Sequence, residues 1–187
     1  MQRRTQFLVN PQGLAPKTLK EAIVLLEKSS SDFCSQWKNS NILQAVKTSE
    51  QAFNALDHIQ NELLRHRDEK KENQNWDNST FKLALDQKVG DFVNNISPVQ
   101  KCIFSALSDG NATLPTNSVL SDLTLVKALN KLKHRSPKDV KFTVDETNKH
   151  TLFIFTNAGM GQPHSISKFD LKMLCDACKV ASNILTT

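Results

Sequence analysis

Tyrosine is absent from this 187-residue chain, glycine occurs five times and proline six. So few turn formers argue against an all-β sandwich or barrel, which needs a turn signal roughly every ten residues. No apolar run approaches the roughly 20 residues that a membrane-spanning helix requires. In the N-terminal MQRRTQFLVNPQGLAP the longest apolar run is Phe7 to Val9, too short for the core of a secretion signal. Cys34, Cys102, Cys175 and Cys178 are too few and too scattered for a disulfide framework, so a reducing, cytoplasmic setting without a membrane partner is expected. On that reading Asn78-Ser-Thr80 and Asn111-Ala-Thr113 match the glycosylation sequon by chance. There is no paired-carboxylate constellation and no nucleophile elbow.

What the chain does hold is an uneven basic charge. Twenty-four Lys and Arg against 19 Asp and Glu give a net charge of +5. Residues 127–141, KALNKLKHRSPKDVK, contain six Lys or Arg and one Asp, a local excess equal to that of the whole chain. A local basic excess of this kind suits a polyanionic partner.

Apolar periodicity organises the rest. Leu19, Ile23, Leu26 and Phe33 predict a first helix from Pro16 to about Lys38. Leu43, Val46, Phe53, Leu56, Ile59 and Leu63 predict a second from the N-cap Asn41 to about Arg67. Residues 70–79 read as a polar loop. A third helix is expected over Thr80 to about Leu107, kinked at Pro98, and a fourth over Ser121 to about His134. Val140, Phe142 and Val144 alternate with polar neighbours and pair in a hairpin, near 139–156, with the run His150 to Thr156. Its Phe142, Phe153 and Phe155 are expected to pack together on a helix. Ser167 to Asp170 resembles a capping box that opens a last helix. The expected fold is therefore mainly α: one helical-bundle domain with a small C-terminal β-hairpin followed by a final helix.

The strongest chemical candidate is Leu129-Asn130-Lys131-Leu132-Lys133-His134. Asn130 and His134, spaced i, i+4, share one helix face. An imidazole can take the proton of a ribose 2′-hydroxyl, and neighbouring cations can hold the phosphate. Lys127, Lys131, Lys133, Arg135 and Lys138 are the candidate nucleic-acid contacts. A plainer reading stays open, in which Asn130 stabilises the last turn and the cations complement the helix dipole.

The order of long helices, NKLKHR near a helix end, a hairpin and a final helix resembles the HEPN-like proteins. That resemblance implies a helical bundle, often dimeric. It also implies ribonuclease or RNA-binding roles in antiviral defence or toxin–antitoxin systems. Asn130 and His134 fall on the family's polar and His motif positions, while Leu129 stands where the motif has Arg. RNA or nucleotide binding is the leading expectation. A metal-independent endoribonuclease using Asn130 and His134, and a protein-interaction module with a cognate protein partner, are the alternatives. A homodimer is expected, and no cofactor or metal.

Three further features carry less specific signals. Cys175 and Cys178 share a helix face, but zinc would need ligands such as Cys102, His150 or His164, so small buried thiols fit better. The turn Ala158 to His164 has two glycines but no phosphate-loop spacing. Arg65 and His66 lie in a charged helix end of the kind that is usually solvated.

Overall fold

The computed structural model describes residues 18–72, 75–159 and 161–185, and within them every side chain except those of Pro137 and Lys138. The expected helix start at Pro16 lies outside these residues. Helix α1, Leu19–Lys38, starts at a capping box: Thr18 Oγ accepts from the Glu21 amide at 3.2 Å, and the Glu21 carboxylate accepts from the Thr18 amide at 3.0 Å. Ser40, at φ 57°, lies in the short turn to helix α2, Ile42–Lys71. A 3₁₀ turn at Trp76–Asn78 leads to α3, Thr80–Leu85. Then come β1, Lys88–Asn94; α4, Pro98–Ala106; β2, Ser121–Thr124; and α5, Leu125–Lys133. The chain ends with β3, Arg135–Val144; β4, His150–Thr156; β5, Ser165–Asp170; and α6, Leu171–Leu185.

The five strands form one antiparallel sheet in the order β2-β1-β5-β4-β3. The last strand in the chain is thus the central one. Helices α1, α2, α3, α5 and α6 cover one face, where Phe92, Ile154 and Phe169 pack with Leu26, Ile59 and Leu129. The opposite face is covered by α4 and the segment after it, with Phe104 and Ala112 on Val93, Phe153, Phe155 and Ile166. Each large side chain buried in these layers contributes roughly 1.5–3 kcal/mol.

This α+β sheet architecture overturns the expected mainly α bundle, and with it the fold implied by the HEPN-like resemblance. The expected hairpin exists, but as two strands of five. Its aromatics do not share a side: Phe142 meets Phe33 and Trp37 of α1, whereas Phe153 and Phe155 face α4. The expected third helix is α3, β1 and α4 in succession. A bulge causes the misreading, because Lys88 pairs with Thr124 while Gly90 pairs with Leu123, leaving Val89 extra. Val89 and Phe92 therefore reach the same face three residues apart and imitate a helical stripe. The fourth helix begins four residues late, after β2. Ser167 to Asp170 is strand, and α6 is capped by Asp170, whose Oδ1 accepts from the Met173 amide at 2.9 Å.

Candidate anion-binding site

Helix α5 follows β2 directly and lies across the helix-covered face of the sheet. Its buried stripe of Leu125, Ala128, Leu129 and Leu132 fixes its roll. That roll places Lys127 and Lys131, one turn apart, above the end of β1. Their Nζ atoms lie 5.4 Å and 5.7 Å from the centre of the Phe92 ring. Both ammoniums therefore sit over one negative ring face. Lys131 Nζ also donates to the Ser165 hydroxyl at 2.6 Å, and Lys127 Nζ reaches the Asp122 carbonyl at 3.5 Å.

Neither ammonium forms an ion pair among the described residues. Asp91 and Asp122, the carboxylates of β1 and β2, are paired with Lys88 at 2.9 Å and 2.6 Å. Lys131 is half-buried, and burial pulls its pKa below the ordinary lysine value, with the charge of Lys127 adding to the shift. The pair is an unneutralised concentration of positive charge in a partly dry setting.

Polar groups surround it. Asn94, Ser165 and Thr156 are cross-strand neighbours at one end of β1, β5 and β4. Asn94 Oδ1, Thr156 Oγ1 and Ser167 Oγ are buried without a hydrogen-bond partner. Buried polar atoms of this kind call for a partner. Asn94 and Ser121, the latter paired with Phe92, also line a shallow polar pocket of about 420 Å³ with Asn95, Gln100, Asn117 and Ser118.

The other sequence candidates are not brought together with this pair. Leu129, at the motif's Arg position, is fully buried in the core. Asn130 donates its side-chain amide to the Val126 carbonyl at 2.9 Å, so it bonds its own helix rather than His134. His134 is the exposed C-cap residue of α5, its amide donating to the Asn130 carbonyl at 3.1 Å. No hydrogen bond among the described residues involves its ring. Lys133 is exposed at the end of α5. Arg135 points to α2, stacked 4.4 Å from the Phe53 ring centre and paired with Asp57 at 3.1 Å, with a second bond to the Leu132 carbonyl. The side chain of Lys138 lies outside the described residues.

Cys175 and Cys178 are buried free thiols on α6. Burial pushes Cys175 up to about 12 and raises Cys178 as well, so both stay protonated. Among the described residues no group of three His, Cys, Asp or Glu could hold a metal ion. His164 closes its own turn by accepting from the Ala158 amide at 2.9 Å and stacking on Phe155. Arg65 and His66 lie in a surface network with Glu62 and Glu69. No helix among the described residues is long and apolar enough to cross a membrane.

Sequence reasoning found both lysines but missed Phe92, Asn94, Thr156 and Ser165, because their strands were read as helix or as half of a lone hairpin. Ser165-Ile-Ser-Lys-Phe169 gives no period-two signal, since Ile166 and Phe169 are three residues apart and face opposite sides of the sheet. Comparison with family models, curated proteins and solved structures finds no match for this chain.

Proposed function

We propose that the protein binds a phosphate-bearing ligand, RNA or a nucleotide, through Lys127 and Lys131, without cleaving it. The observation that carries this reading is the pair of lysines over one Phe92 ring with no carboxylate partner among the described residues. An anion placed there relieves the repulsion between the two cations and takes up a half-buried charge. Ser165 and the unpartnered Thr156 hydroxyl supply neutral polar groups beside it. Binding without cleavage is favoured because Asn130 is turned to its own helix and the His134 ring has no orienting partner among the described residues. A general base needs such positioning before its pKa matters.

The test is fluorescence anisotropy with labelled single-stranded RNA and with a labelled nucleotide at several salt concentrations. Affinity should fall as salt rises, through counterion release for the RNA. Replacing Lys127 and Lys131 together by Gln should weaken binding at least tenfold, while Lys133→Gln should change it less than threefold. Undetectable binding at low salt, or a loss confined to Lys133→Gln, would reject the reading.

A further inference from the structure

A second cavity, of about 450 Å³, opens on the other side of α5. It lies between α1, the first half of α2, and the strands β3 and β4. Its deep end reaches Leu26, Leu56, Leu132 and Ile154, all core residues. Its mouth is also apolar. Ile42, Val46 and Phe53 of α2 are 49%, 51% and 50% exposed, and Val140 faces them from β3 at 37%. Steps of four and seven residues place the three α2 side chains on one helix face.

Shape narrows what can enter. Ile42 to Phe53 spans about 16 Å of helix at 1.5 Å per residue. A volume of about 450 Å³ lies within the range of small-molecule pockets, about 300–1,000 Å³, and its deep end runs into the core. An extended peptide would bring amides and carbonyls against apolar walls that cannot satisfy them. A single hydrocarbon chain fits both constraints.

Charge narrows the head group. Arg135 at the edge is paired with Asp57, and the Lys141 ammonium lies on the opposite face of the sheet, donating to the carbonyl of Leu107, which packs there, at 2.7 Å. His150 in the wall shares a hydrogen bond of 3.0 Å between its Nδ1 and Ser30 Oγ. Glu50 and Asp109 also line the cavity, and neither forms an ion pair among the described residues. The free charge at the opening is negative, which disfavours an anionic head.

We propose that this cavity is a second ligand site, which takes the chain of a single-chain amphiphile with an uncharged or cationic head. It is independent of the lysine pair over Phe92. The test uses the full chain and the neutral fluorescent probe N-phenyl-1-naphthylamine. Saturable uptake of one probe per chain is expected, with energy transfer from Trp37, which lines the cavity. Octan-1-ol and octylammonium should displace the probe at concentrations at least tenfold lower than octanoate. Val46→Trp fills the mouth from a half-exposed position and should weaken probe binding at least tenfold with the unfolding midpoint unchanged. Val24→Trp, an equally bulky change at an exposed position outside the lining, should leave binding intact. Absence of saturable uptake, equal loss in both Trp variants, or displacement by octanoate at the lowest concentration would overturn the proposal. So would a dimer in sedimentation that takes up probe only on dissociating, since a second copy would then be the occupant.

Discussion

Phe33 lies flat against His150, with ring centres 5.0 Å apart and planes within 5°, while Ser30 Oγ holds the imidazole Nδ1 at 3.0 Å. The ring is enclosed between α1 and the sheet. Burial pulls its pKa down from 6.5 to about 4, against the opposing pull of Asp170. The unfolded chain therefore binds a proton in a range where the folded chain does not. Stability contributed by the neutral ring is complete above pH 6.5, declines as pH falls below it, and is gone once pH passes about 4. The loss is on the order of 3 kcal/mol over that window. His150→Phe keeps the stacked ring and removes the titration. Urea unfolding at a series of pH values should give the variant a flatter profile between 6.5 and 4. Parallel profiles for the two proteins would assign the acid sensitivity elsewhere.

Gly90 is the position where the sheet tolerates no side chain. A Cβ there would meet the Lys168 carbonyl and lie 2.9 Å from the Phe169 Cα and Cβ. These are largely backbone atoms of the neighbouring central strand, which cannot rotate away. Gly90→Ala should therefore force β1 off β5 and cost about 3 kcal/mol, at the upper end of overpacking penalties. Chemical denaturation measures it, and a loss below about 1 kcal/mol would mean that the strands adjust freely.

The same glycine shows how much of the fold was readable. The long helices were legible within a few residues, since Leu26, Ile59 and Leu63 repeat at helical steps on a face that is truly buried. The hairpin was legible from the alternation in 140–144. The other three strands were not. Gly90 inside an apolar run is a recognised sign of close backbone approach, but the Val89 bulge gave its strand a helix-like stripe. In β5, Ser165 and Ser167 are fully buried between neighbouring strands, so polarity that suggested a helix cap belongs to a central strand. Of the site, the lysines were visible because helical spacing alone puts Lys127 beside Lys131. Their partners come from β1, β4 and β5, whose adjacency depends on topology that no local pattern carries.

Leu129→Arg, which places an arginine where the HEPN-like motif has one, is the natural way to seek nuclease activity. In this fold Leu129 has no exposed surface and packs in the main core. The guanidinium would be buried with no carboxylate partner, a large penalty on top of lost packing. Destabilisation of at least the 2–5 kcal/mol typical of Leu→Ala is expected, roughly enough to unfold a protein of ordinary stability. Circular dichroism and thermal melting give the answer. A well-folded Leu129→Arg protein that cleaves RNA would contradict both this placement of α5 and the reading of binding without catalysis.

Lys131 is where stability and binding should oppose each other. Its folded pKa is depressed by burial and by Lys127, so at neutral pH the fold carries the cost of keeping this ammonium charged. Stability tied to the group is complete above the unfolded lysine pKa and is lost as pH falls through the lowered folded value. Lys131→Met keeps the length and apolar stem over Phe92 and removes the charge. It also removes the bond to Ser165, whose hydroxyl is buried. Where relief of the charge wins, the ligand-free variant matches or exceeds the wild type in melting temperature. Ligand should then separate the two proteins. A nucleotide at ten times its dissociation constant raises wild-type stability by about 1.4 kcal/mol through mass action. The variant should gain less than a third of that. Scanning calorimetry with and without nucleotide measures both effects on one sample. A variant that is strongly destabilised alone, yet gains the full increment from ligand, would make Lys131 a structural residue and move the anion site elsewhere.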